Sequence, residues 1–133
     1  MPLFTWEDKF SVGNHTMDSH HMKLFDILNV IHDATLQGRG EEIIATQLKE
    51  LASYTKYHFD EEEKLMVAAN YPQLSSQQAA HKAFLAKIQE YQDEVAKGNG
   101  LYVVSNVAVT VKDWLKQHIL TMDMQYESYL KGR

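Results

Sequence analysis

The sequence contains no cysteine and only two prolines among its 133 residues. Without cysteine the chain can form no disulfide, has no thiolate nucleophile, and offers no sulfur ligand to zinc or to an iron–sulfur cluster. Any metal ion in this protein must therefore be held by nitrogen and oxygen atoms.

The chain also lacks an excess of positive charge and a long apolar run. Its 13 Lys and Arg against 18 Asp and Glu give a net charge of -5, which would repel nucleic acids and anionic membranes. No apolar segment reaches the ~18 residues that span a bilayer. The first ten residues, MPLFTWEDKF, carry acidic side chains and do not resemble a signal peptide. We therefore expect a cytoplasmic protein that neither inserts into a membrane nor binds nucleic acid.

Apolar residues, 44% of the chain, recur at helical spacing in four blocks. Glycine, asparagine or proline interrupts the pattern near residues 38–40, 70–72 and 98–100. The predicted helices cover about 18–37, 41–69, 75–97 and 101–130, with Asp18 as the first N-cap. Short connections between them predict an all-α, antiparallel up-down-up-down four-helix bundle, one domain of residues 1–133. Residues 1–17 form an N-terminal arm whose apolar side chains could pack on the bundle: Phe4, Trp6, Phe10 and Val12.

Each predicted helix carries a histidine on its apolar face. These are His21, His58, His81 and His118. One such histidine is more often a core residue than a ligand. Four of them, each near the same end of an antiparallel bundle, are unlikely to be incidental.

Glu62 follows His58 by one helical turn and should point into the same interior. Burying a lone carboxylate costs several kcal/mol unless it is paired or neutralised. No lysine or arginine lies beside it on these faces, so a divalent or trivalent cation held by imidazole and carboxylate would solve the charge problem. The neighbouring Asp60, Glu61 and Glu63 are expected to form a solvated surface.

Asp123 follows His118 by five residues, within the segment HILTMD. In a regular α-helix this spacing would turn the two side chains about 140° apart. If both face one site, the helix must be underwound between them. We therefore predict a π-type bulge at this point, a feature that is frequent at functional sites.

These segments together resemble the hemerythrin family, specifically its bacterial members, over almost the whole chain. The resemblance rests on SVGNHTMDSHHMKLF, HFDEEEKLM, YPQLSSQQAAHKAFL and WLKQHILTMD. It implies a non-haem di-iron centre whose two irons are bridged by an oxo or hydroxo group and by Glu62 and Asp123. It further implies that dioxygen binds reversibly at the iron with an open position.

By the same resemblance, His21 and His58 serve the iron with the open position, and His81 and His118 serve the other. The predicted oxygen pocket consists of Phe59, Leu115 and Ile119.

The chain departs from the family pattern at Gln77, where the first of two histidines four residues apart is expected. Three alternatives follow: Gln77 binds the metal through its oxygen, water replaces it, or the metal there is weakly held. A second departure is His20, where the family often has glutamine. Because His20 is turned ~100° from His21, we expect it at the rim or surface, with His15 and His32 structural or exposed.

The leading functional prediction is dioxygen storage, delivery or sensing, without enzymatic activity. The alternative, suggested by Gln77, is a di-iron enzyme with peroxide, nitric oxide or oxidase chemistry. The sequence has no Glu-x-x-His pair of the kind found in ferritin-like di-iron proteins. We also expect no spare carboxylate or second histidine beside the metals, which favours binding. A zinc site fits less well because it would use only four ligands. An electron donor or oxygen-consuming partner is not identified by the sequence.

Overall fold

The computed structural model describes residues 5–131, and these residues form helices without any strand. The helices are α1 His15–Leu36, α2 Gly40–Ala68, α3 Leu74–Ala96, α4 Gly100–His118 and α5 Met124–Lys131. A five-residue π-helical segment, Ile119–Asp123, joins α4 to α5, so that α4, this segment and α5 make up the fourth helix of the bundle. A 3-10 turn, Asp8–Phe10, precedes α1.

The helices pack as the predicted antiparallel four-helix bundle. Each helix contacts the next one in the sequence, and α4 packs back against α1. The inward face of every helix contributes to one apolar core, which includes Leu28, Leu48, Ile88 and Val107. Each such side chain, once buried, stabilises the fold by roughly 1.5–3 kcal/mol. The core therefore supplies a rigid frame for the polar residues near one end of the bundle.

Helix α1 begins three residues earlier than predicted, and the assignment of Asp18 as N-cap was wrong. The cap is Asn14, whose side chain accepts a hydrogen bond from the backbone N–H of Met17 at 3.2 Å. Asp18 instead accepts hydrogen bonds from the Ser11 hydroxyl at 2.6 Å and from the Val12 backbone N–H at 2.9 Å. Asparagine and aspartate both cap helices well, so residue type alone does not distinguish Asn14 from Asp18.

The contacts of Asp18 help to hold the N-terminal segment against the bundle. Phe10 and Val12 are buried in the core, and the ring of Trp6 lies 5.6 Å from that of Phe25. Phe4 lies outside the described residues. Among residues 5–131, no helix has an apolar stretch that could cross a membrane.

Candidate metal centre

The link between α4 and α5 confirms the predicted distortion of the fourth helix. Residues Ile119–Asp123 are π-helical, and the backbone returns to α-helix at Met124. The wider turn brings Asp123 onto the face of His118, with Oδ1 3.2 Å from Nε2. His118 and Asp123 therefore face the same site although they are five residues apart.

All seven residues predicted as ligands are buried at the same end of the bundle. They are His21, His58, Glu62, Gln77, His81, His118 and Asp123. Their positions follow from the antiparallel packing. α1 and α3 contribute residues near their beginnings, α2 contributes residues near its end, and the fourth helix contributes His118 and Asp123 around the π-helical segment.

Glu62 lies between histidines from two helices. Its Oε2 atom is 3.6 Å from Nε2 of His58, and its Oε1 atom is 3.1 Å from Nε2 of His81. Asp123 is arranged in the same way, with Oδ2 3.4 Å from Nε2 of His21 and Oδ1 3.2 Å from Nε2 of His118. Each carboxylate therefore places one oxygen against the His21–His58 pair and the other against the His81–His118 pair.

Several of these facing atoms make no hydrogen bond although they are buried. They are Nε2 of His21, His81 and His118, Oε1 of Glu62 and Oδ2 of Asp123. Buried polar atoms are almost always paired, so an orphaned group of this size calls for a further partner. Two sets of three residues each place their potential ligand atoms within 4.8 Å of one another. The sets are His21, His58 and Glu62, and Glu62, His81 and His118. Glu62 belongs to both sets, and neutral imidazole with carboxylate is a donor set that fits transition-metal cations.

Gln77 is fully buried beside Asp123. Its amide nitrogen donates to Oδ1 of Asp123 at 3.4 Å, whereas its carbonyl oxygen has no hydrogen-bond partner. The one atom of this side chain that could bind a cation is therefore the one left without a partner.

Burial and the negative charge of Asp123 raise the pKa of Glu62 well above its ordinary value. Burial would also raise the pKa of Asp123, but the neighbouring imidazoles of His118 and His21 outweigh burial and lower this pKa. Burial lowers the pKa of both His58 and His81. A bound cation would favour the ionised form of both carboxylates.

Two of the histidines have partners on their outer nitrogen that were not expected. Nδ1 of His81 lies 2.7 Å from Oε2 of Glu63, and Nδ1 of His58 lies 2.8 Å from Nδ1 of His20. Glu63, expected on a solvated face, is only partly exposed and turns to His81, and His20, expected at the rim or surface, is buried against His58 beside a surface cavity. Each sits at a boundary between two helices, where a side chain turned away from its own core face meets the neighbouring helix.

Glu127 is a further acidic residue near the centre. It is buried one turn after Asp123, the amide nitrogen of Asn14 approaches its Oε1 atom at 3.5 Å, and its charge contributes to the raised pKa of Glu62. Glu127 was not singled out from the sequence. The spacing of four from Asp123 was the available sequence signal.

The three residues predicted for the oxygen pocket are buried close to these histidines. Phe59 stacks on His81 with ring centroids 3.7 Å apart. Leu115 and Ile119 flank His118 on the fourth helix, one turn before it and directly after it. Trp114 also stacks on His118, with ring centroids 4.4 Å apart, and so joins the apolar wall.

Known proteins are similar to this chain in sequence and in fold. The profile of the hemerythrin HHE cation-binding domain matches residues 12–130. A hemerythrin from Sipunculus nudus is 33% identical over 96% of this chain and 93% of its own length. The bacteriohemerythrin of Pseudomonas paraeruginosa is 30% identical over 95% of this chain and 80% of its own length. A crystal structure of a hemerythrin with one leucine replaced by alanine superposes with a TM-score of 0.85, at 27% identity over 98% of both chains. The chain therefore belongs to the hemerythrin family.

Proposed function

We propose that this protein binds two iron ions in the buried cluster and binds dioxygen there reversibly. The observation that carries the proposal is the position of the two carboxylates. Each spans the gap between a histidine of one pair and a histidine of the other, as the distances of 3.1–3.6 Å from Glu62 and Asp123 describe. A single cation would not need two carboxylates placed in this way.

In this proposal His21 and His58 hold one iron, and His81 and His118 hold the other. Glu62 and Asp123 would help to hold both ions. The unpartnered carbonyl oxygen of Gln77 completes the ligands of the second iron. Seven donors exceed what one tetrahedral zinc site uses, and the mixture of imidazole and carboxylate suits iron.

The bound iron would supply the exchangeable position and the electrons that reversible dioxygen binding requires. The protein's contribution is to hold the ligands and to exclude water. Phe59, Leu115 and Ile119 are each at most 2% exposed, and in this proposal they form the dry wall of the oxygen pocket. Burial lowers the pKa of His58 and His81, which favours their neutral forms and leaves a lone pair available for the metal.

The similarity to hemerythrins supports a binding protein over an enzyme acting on peroxide, nitric oxide or an oxidase substrate. Two polar residues beside the site are already engaged, since His20 contacts His58 and Glu127 is approached by Asn14. Dioxygen storage, delivery and sensing would all use this one site. A cytoplasmic location stays a prediction from the sequence.

The proposal can be tested by loading the protein with iron(II) under anaerobic conditions. We expect two irons per chain and an oxygen-dependent visible absorption band that disappears under vacuum through repeated cycles. Metal-free protein, treated identically, should show no such band. A single irreversible change to an oxidised spectrum would contradict reversible dioxygen binding.

A further inference from the structure

His20 makes a direct contact with one of the proposed ligands. Its Nδ1 atom lies 2.8 Å from Nδ1 of His58, and the two rings are nearly perpendicular, at 83°. We propose that His20 is a positioning residue for the metal centre, accepting the Nδ1–H of His58 and so presenting Nε2 of His58 to the cation. This inference rests on the proposed function, because it assigns a role within the same site.

The chemistry of imidazole fixes the direction of this hydrogen bond when a metal is bound. A neutral ring has one protonated nitrogen and one lone pair. If Nε2 of His58 gives its lone pair to a cation, the proton must be on Nδ1, and the acceptor at hydrogen-bond distance from it is Nδ1 of His20. His20 must then carry its own proton on Nε2. Burial of both rings, at 7% and 2% exposure, favours these neutral forms.

The surroundings of His20 hold its ring in place. Tyr54 lies edge-on to the ring with centroids 5.9 Å apart, and Tyr57 lies 5.3 Å away. On its outer side, His20 lines a surface cavity of about 240 Å³ together with Met17, Tyr57, Glu61 and other residues. His20 therefore stands between this cavity and His58, where it restricts the approach of water to the Nδ1 atom of His58.

The two halves of the centre differ in the partners of their histidines. Nδ1 of His81 faces the carboxylate of Glu63 at 2.7 Å, whereas Nδ1 of His58 faces a neutral ring. A carboxylate partner raises the basicity of a metal-bound imidazole more than a neutral acceptor does. We therefore expect His58 to be a weaker electron donor to the metal than His81. His20 would act mainly by fixing the orientation of the His58 ring.

The test compares anaerobic iron(II) affinity, measured by chelator competition, for the wild type and for two variants of His20. His20→Leu supplies a side chain of similar bulk but removes the hydrogen-bond acceptor of Nδ1–H of His58. We expect the affinity for iron(II) to fall by about 10- to 100-fold. His20→Gln supplies an amide oxygen as acceptor and should stay within about threefold of the wild type. His15→Leu, at an exposed position of the same helix, is the matched control and should have no effect.

Two outcomes would overturn the inference while leaving the proposed function standing. In the first, the wild type binds iron(II) and His20→Leu binds it equally well. In the second, His20→Leu and His20→Gln are weakened equally, which would indicate packing and not hydrogen bonding. A wild type that binds no iron would overturn both proposals.

A second readout does not depend on metal. In the metal-free protein with ¹⁵N-labelled histidine, we expect a scalar coupling across the hydrogen bond between Nδ1 of His58 and Nδ1 of His20. His20→Gln should abolish this nitrogen–nitrogen coupling while Nδ1 of His58 stays protonated. Absence of the coupling in the wild type, with the protein folded, would overturn the inference.

Discussion

At the scale of single residues, the centre depends on one buried carboxylate between two imidazoles. Glu62 is 1% exposed, and one of its oxygens has no hydrogen-bond partner. Its neighbour Glu61 is partly exposed and pairs with Lys64 at 3.2 Å. Two adjacent glutamates on one helix therefore differ in role only because they point in different directions.

Glu62→Gln tests this difference. The substitution keeps the shape of the side chain but removes its negative charge, so we expect iron content to fall from two per chain to one or fewer. Glu61→Gln is the matched control and should retain both irons. Iron content is measured after gel filtration, and full loading of the Glu62 variant would refute the bridging assignment.

Gln77→His tests the residue that departs from the family pattern. Imidazole is a stronger donor than an amide oxygen, so we expect the second iron to be held more tightly, with slower loss to a chelator by about tenfold or more. Ser76→His places the same side chain one position earlier in α3, where residue 76 is exposed, and should leave the rate unchanged. Equal chelator sensitivity of Gln77→His and the wild type would exclude Gln77 from the set of ligands.

The core-facing histidines could be predicted from the sequence because each continues an apolar face at helical spacing. The partners of their outer nitrogens could not. Whether His20 reaches His58, or Glu63 reaches His81, depends on the rotation and separation of two neighbouring helices. One sequence contains no measure of these quantities.

At the scale of elements, the local sequence pattern was sufficient to predict the end of the fourth helix but not the start of α1. The π-helical segment was predictable, because a five-residue spacing between His118 and Asp123 can serve one site only in an underwound helix. The start of α1 was not, because Asn14 and Asp18 are both good caps and lie four residues apart. Tertiary contacts with Ser11 and Val12 occupy Asp18 and leave the cap to Asn14.

Asn14→Ala tests the observed cap. Loss of the side-chain oxygen leaves the Met17 N–H without its partner, and we expect the free energy of unfolding to fall by about 1 kcal/mol. Asn14→Ser retains a capping oxygen but not the amide that approaches Glu127, and it should recover most of the loss. Urea unfolding of the metal-free protein measures both, and equal destabilisation by alanine and serine would show that the cap is not the cause.

At the scale of the whole molecule, the ligand cluster couples the fold to pH and to metal. The metal-free bundle keeps His58 and His81 neutral, with their pKa values lowered by burial. Unfolding restores their ordinary affinity for protons. Metal binding would give the buried imidazole and carboxylate groups ligand bonds in the folded state, so loading with metal should stabilise the bundle as a unit.

The pH dependence of the metal-free protein follows from these shifts. Below the ordinary histidine value of 6.5, the unfolded chain binds protons that folded His58 and His81 do not, so stability falls as pH falls. Glu62 opposes this, because its raised pKa makes the folded state bind a proton that the unfolded state lacks. His20, whose pKa burial also lowers, acts in the same direction as His58 and His81, and three histidines against one glutamate leave a net loss of stability. We expect the melting temperature to fall between pH 6.5 and 5, and more steeply in Glu62→Gln; a flat or rising melting temperature would contradict this.

The measurement that tests the central claim most directly is an anomalous difference map, collected at the iron edge, from crystals of the iron-loaded protein. The account predicts two peaks, roughly 3.5–4 Å apart, as in two-metal sites in general. One should lie beside His21 and His58 and the other beside His81 and His118, with Glu62 and Asp123 between them. A single peak, or two peaks that share no carboxylate, would contradict it.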